Sequence, residues 1–81
     1  MEKWKIVGYR RIDFTGRDGK AVDGYNLYLA REPISERIVG LEVMKLFICR
    51  QYIDYEPKVN EIVSICYNRF GHVESIVRQI D

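Results

Sequence analysis

The sequence predicts an all-β domain: a small barrel of five strands, with at most short helical turns in its connections. Three observations carry this reading. Stretches rich in β-branched and aromatic residues, several with clear alternation, recur along the chain and are separated by turn signals. No segment sustains the apolar stripe at helical spacing that a packed helix needs. Five strands fit within 81 residues without a linker, repeat or low-complexity tract, so residues 1–81 make one domain.

Residues 4–14 (WKIVGYRRIDF) form the first strand, and Gly8 inside it marks a bulge or a bend where a barrel turns its corner. Residues 15–24 hold three glycines and two aspartates, the composition of a turn or a mobile hairpin tip. Residues 25–31 (YNLYLAR) are the second strand, with Tyr25, Leu27 and Leu29 on one face and Asn26, Tyr28 and Ala30 on the other. In residues 32–40, which open at Pro33 and close on Gly40, Ser35 is placed to cap a single helical turn. Residues 41–49 (LEVMKLFIC) are the most apolar segment, interrupted only by Glu42 and Lys45, so both faces of this third strand are expected to be covered. Residues 50–58 form a connection with room for one helical turn over 50–55, ended by Pro57. Residues 61–67 and 72–80 flank Asn68-Arg69-Phe70-Gly71, the signature of a tight hairpin.

Composition narrows the function. A domain this small buries only about 60–65% of the surface its unfolded chain exposes, so its core is thin. With Lys plus Arg at 13 and Asp plus Glu at 12, the net charge of +1 argues against a strongly cationic polyanion binder and leaves room for a local basic face. No apolar run approaches the ~20 residues of a membrane span, and the N-terminal residues lack the apolar core of a signal peptide. Cys49 and Cys66 are too few for a disulfide scaffold or a zinc site, read as small buried apolar residues, and point to a reducing, cytoplasmic setting. His72 has no second ligand at metal spacing and no nucleophile beside it, and is expected at the surface. Asp13, Asp18 and Asp23 do not match a calcium loop. Nothing reads as catalytic, and no metal or cofactor is expected.

A long first strand bent at a glycine, a long first loop and a connection between strands three and four favour an OB-fold-like barrel over an SH3-like one. OB-folds bind oligonucleotides on the face of strands two and three and with the loops joining strands one to two and four to five. The stretch Thr15-Gly16-Arg17-Asp18-Gly19-Lys20 leading into a Gly-Tyr-x-Leu strand, and Tyr55-Glu56-Pro57-Lys58-Val59 leading into a hairpin tipped by Phe70, resemble small phage-type single-stranded DNA-binding proteins, including those of filamentous phages. The resemblance is one of layout over most of the chain. It implies an OB-fold homodimer that stacks bases on tyrosine and phenylalanine and pairs phosphates with Arg and Lys. Asn60 stands where that layout has a glycine; Asn tolerates the left-handed conformation, so the turn survives. Residues 32–40 have no counterpart in it.

Binding unpaired bases needs flat rings along a groove and cations for phosphate. The chain interleaves both, which makes Tyr9, Arg11, Tyr25, Tyr28, Arg31, Lys45, Tyr67, Arg69 and Phe70 the candidate contacts, with Arg17 and Lys20 reaching from the first loop. The competing reading of any one tyrosine is structural, because tyrosines favour strands and half-buried surfaces. Adjacent Arg10 and Arg11 point to opposite faces; Arg10 shares parity with Ile6 and Ile12, and Arg11 with Tyr9 and Val7. Lys45 either faces outward as a phosphate contact or pairs with Glu42 or Glu61. Phe70 at a hairpin tip either meets a ligand or partner chain, or folds back as a lid.

Three functions compete. The first is sequence-independent binding of single-stranded DNA, or RNA, by a dimer whose apolar third strand supplies the interface. The second is a protein–protein module anchored by Tyr25, Tyr28 and Phe70. The third is a phage or mobile-element inhibitor that blocks a nucleic-acid enzyme without binding nucleic acid itself. Charge placement discriminates between them. Arg11, Arg31, Lys45 and Arg69 sharing a face with tyrosines favours nucleic acid, whereas acids interspersed evenly favour a protein partner.

Overall fold

Alternating apolar residues pair into one antiparallel sheet in the computed structural model, which describes residues 2–79. Its strands are β1 (Glu2–Thr15), β2 (Ala21–Arg31), β3 (Glu42–Cys49), β4 (Ile62–Tyr67) and β5 (Val73–Arg78), in the order β3-β2-β1-β4-β5. The central strand β1 pairs with β4 through its first residues, Glu2 to Lys5, and with β2 from Lys5 to Thr15. The sheet is barrel-like but not closed, since β3 and β5 lie at opposite ends of the strand order. There is no helix among the described residues. The end expected for the last strand, Ile80, lies outside the described residues.

One side of the sheet carries the core. Trp4 and Ile6 of β1, Leu27 and Leu29 of β2, Ile48 of β3, and Val63 and Ile65 of β4 are buried together. Leu27 and Leu29 are fully buried, and a large-to-Ala truncation at such a site costs about 2–5 kcal/mol. The connection after β3 makes one hydrogen-bonded turn, with Ile53 N donating to Cys49 O at 3.0 Å, and then runs extended. In that stretch Ile53, Tyr55 and Pro57 point inward and Asp54, Glu56 and Lys58 outward, so an alternating segment rather than a helix covers one end of the core. In residues 32–40, Ser35 Oγ accepts from Arg37 N and Ser35 O from Ile38 N, making an isolated turn and no helix.

Several turn expectations hold. Asn60 has φ 74°, the left-handed conformation anticipated for it. Asn60 N donates to Ile6 O at 2.7 Å, which ties the start of β4 to β1. In the β4–β5 hairpin, Asn68 Oδ1 accepts from Phe70 N and His72 N, and Gly71 takes φ 81°. The β1–β2 loop is shorter than its composition implies, because β2 already begins at Ala21.

Three expectations about faces are corrected. Only one face of β3 is covered: Val43, Lys45 and Phe47 are exposed and alternate with half-buried or buried neighbours. Cys49 and Cys66 are half-buried rather than buried, since both point to that outer side. The bulge expected at Gly8 is present: Ile6 faces Leu29 and Gly8 faces Tyr28, leaving Val7 as the extra residue. The bulge shifts the strand by one. Arg10 therefore does not share a face with Ile6; Tyr9 and Arg11 do.

Candidate nucleic-acid interface

The bulge sorts the strand cations into two sets. On the core side, beyond the core itself, Tyr9 faces Leu27, Arg11 faces Tyr25 and Asp13 faces Asp23. Tyr25 is nearly buried, and Tyr9 meets it edge to face with centroids 5.8 Å apart. The Arg11 guanidinium lies 5.4 Å from the Tyr25 centroid and 2.6 Å from Asp23, an ion pair without hydrogen-bond alignment because Asp23 Oδ1 has no aligned donor. Arg50 approaches the same carboxylate at 3.5 Å. Arg31 donates to Glu42 at 2.9 Å and lies over Trp4 at 4.2 Å. Arg78 pairs with Glu61, donates to Glu56 O at 2.7 Å and covers the Tyr55 ring. Every strand arginine on this side has a carboxylate partner.

The outer side differs. Lys3, Lys5 and Arg10 of β1 and Lys45 of β3 point there and are exposed. None of the four makes an ion pair among the described residues. The register also places no Asp or Glu on this face of β1, β2 and β3. Three exposed rings share it: Phe14, Tyr28 and Phe47. Tyr28 sits between Gly8 and Lys45 in one cross-strand row, and Arg10, Asn26 and Phe47 form the adjacent row.

Two glycines stand beside two of these rings. A Cβ on Gly8 would lie 3.5 Å from Tyr28 Cδ2, and one on Gly24 would lie 3.0 Å from Phe47 Cζ. Each of the two rings therefore has an edge over a position that carries no side chain. Shallow depressions flank them, one of about 270 Å³ lined by Val7, Tyr28, Val43 and Lys45. Another, of about 540 Å³, runs past Phe47 to Asp18, Lys20 and the exposed Tyr52.

The sequence-derived candidates thus divide. Tyr28 and Lys45 lie directly opposite each other on the outer face, and Lys20 borders it. Tyr9, Arg11 and Tyr25 form the core-side cluster, and Arg31 is engaged elsewhere by Glu42 and Trp4. Arg17 sits exposed in the β1–β2 loop. Tyr67, Arg69 and Phe70 are at the β4–β5 tip, where Phe70 is 72% exposed with the Arg69 guanidinium 4.9 Å from its ring. Phe70 is not a lid. Across the described residues the exposed rings are scattered and form no single cluster.

Arg11, Arg31, Lys45 and Arg69, whose sharing a face was to favour nucleic acid, do not share one; Lys45 instead shares its face with Lys3, Lys5 and Arg10. Sequence reasoning passed over Lys3, Lys5, Arg10, Phe14 and Phe47. Their signal lay in the alternation, counted with a one-residue shift at Gly8 and with one open face on β3. In comparisons with known proteins, no family model, curated protein or solved structure matches the chain, so its function is to be sought in the geometry of this face.

Proposed function

We propose that the chain binds single-stranded nucleic acid, largely without sequence preference, on the outer face of β1, β2 and β3. The observation that carries this is the partition of charge: core-side strand arginines are matched by carboxylates, whereas Lys3, Lys5, Arg10 and Lys45 stand unmatched on a side of β1, β2 and β3 to which the strands themselves contribute no acid. Phosphate neutralisation supplies affinity, and the exposed rings of Tyr28 and Phe47, each beside a glycine, supply stacking surfaces. In this reading the curled sheet, with β1 paired on both sides, is an OB-like barrel whose second and third strands form the ligand face.

A second copy belongs to the same reading. Among the described residues β3 pairs with β2 alone, so its other edge is open to pairing with another chain. An antiparallel β3–β3 contact would join two basic faces into one. The mixed charges around Asp23 support a second reading, a protein partner docking on the β1–β2 arm.

Fluorescence anisotropy of labelled oligo-dT at two salt concentrations tests the proposal. Binding that weakens with salt and is weakened about tenfold or more in Tyr28→Ala supports it. No binding at low salt and high protein concentration sinks it and leaves the protein-partner reading.

A further inference from the structure

β1 leaves β2 at the Lys5–Ala30 pair and continues against β4, so β2 and β4 diverge from that point. A cleft of about 430 Å³ opens in the gap, walled by Trp4, Val7, Leu41 and Ile62, with Lys3 and Lys5 on its lining. This volume is toward the lower end of the ~300–1,000 Å³ range of small-ligand pockets, the size for one nucleotide-sized group and not for a helix or a strand of protein. The walls are mostly apolar and the charges are mostly positive: Lys3, Lys5 and Arg31 against Glu32. Val7, the bulge residue, lines both this cleft and the depression beside Tyr28 and Lys45, so the two lie on either side of one side chain.

We infer that this cleft receives one unstacked base at the end of the bound strand, while Lys3 and Lys5 hold the adjoining phosphate. The inference rests on the proposed binding of single-stranded nucleic acid and adds to it where the bound strand ends. A flat apolar group edged by an anion fits the lining: the base faces meet Val7, Leu41 and Ile62, and the phosphate meets the lysines. Trp4, packed in the wall, reports occupancy through its emission.

The test is a length ladder of oligo-dT measured at fixed low salt with the full chain, its wild type beside two variants. Leu41→Trp fills the cleft from an exposed loop position, and Tyr28→Ala removes a ring from the open face. The wild type is expected to gain affinity with each added nucleotide, the last gain coinciding with a change in Trp4 emission. Leu41→Trp should lose that last gain, about tenfold, and leave shorter oligomers unaffected. Tyr28→Ala should weaken every length. Lys3→Glu with Lys5→Glu, which adds no bulk, should also remove the last gain. A Leu41→Trp ladder identical to wild type, with Tyr28→Ala still impaired, overturns the cleft assignment while the face stands. A wild-type chain that binds no oligomer overturns both.

Discussion

Tyr28 and Arg11 are both aromatic-adjacent candidates in the sequence, yet they occupy different physical situations. Tyr28 lies opposite an unpaired lysine, whereas Arg11 is committed to Asp23 and the Tyr25 ring. Tyr28→Ala should weaken oligonucleotide binding about tenfold or more, since base–aromatic stacking contributes about 1–3 kcal/mol per base. Arg11→Ala should leave oligonucleotide affinity within about twofold, because an arginine already matched by a carboxylate adds little free positive charge. Anisotropy titrations on the two variants check both. Gly24 makes a purely structural prediction. A Cβ there would come within 2.0 Å of the Ile48 carbonyl oxygen, so Gly24→Ala must push β2 and β3 apart. Destabilisation of about 1–3 kcal/mol or more is expected in urea unfolding. The close approach could not be read from the sequence, where Gly24 passes for one more turn residue. The left-handed Asn60 could be, because few residue types other than Gly adopt that conformation so readily.

At the scale of elements, the extended stretch after β3 is fastened by one cluster. The Tyr55 hydroxyl donates to Glu61 Oε1, and Arg78 Nε lies 3.0 Å from both Glu61 oxygens. Burial acts to raise the Glu61 pKa, but hydrogen bonds from Tyr55 and Arg78 outweigh it and hold the carboxyl below its ordinary value. Its folded-state pKa is thus the lower one. The stability it contributes is full above the unfolded carboxyl value near pH 4.5 and is lost as the pH falls through the folded value. Burial, and then the bond to Glu61, raises the Tyr55 pKa, so the hydroxyl's contribution is full below about pH 10 and is lost at more alkaline pH. Urea midpoints measured against pH should fall at both ends, and Glu61→Gln should flatten the acid limb. The strands themselves were legible because a half-buried strand writes its period into the sequence. The tie between Tyr55, Glu61 just before β4 and Arg78 of β5 was not, because it joins positions 6 to 23 residues apart that no local pattern links. An apolar run such as that of β3 reads the same whether one face or both are covered, and only the sheet as a whole decides.

For the whole molecule, the near-zero net charge conceals a separation. Composition sums over faces, so it argued against a polyanion binder, whereas the fold gathers four unmatched cations on one side. If all four meet phosphates, affinity should fall with salt at a log–log slope of about −3, from roughly 0.7 per contact on a single strand. Lys45→Glu should lower the affinity and reduce that slope by about one or more, which titrations at four salt concentrations measure. The open β3 edge leads to a second prediction at this scale. Sedimentation should find dimers at micromolar concentration, and Leu46→Pro, on the edge strand, should shift the chain toward monomer or unfold it; circular dichroism distinguishes the two. A chain that is monomeric at all accessible concentrations removes the β3–β3 contact.

Val7 also fixes what changes of length the chain can absorb. Excising that one residue would join Ile6 directly to Gly8 and close the ladder without a bulge, with Ile6 still facing Leu29 and Gly8 still facing Tyr28. Tyr9, Arg11 and Asp13 would keep the core side and Arg10 the lysine-bearing side. Inserting one residue between Arg10 and Arg11 without a second bulge would instead turn Arg11 and Asp13 to the lysine-bearing side and Ile12 to the core side. Single-residue insertions in the 16–20 tip would change no pairing in the sheet. In a scan of one-residue deletions and insertions read by folded yield, the tip and the deletion of Val7 should be permissive, and insertions between Tyr9 and Asp13 should be among the least forgiving. Changes in length there, more than changes in residue type, would exchange the two faces of the hairpin arm.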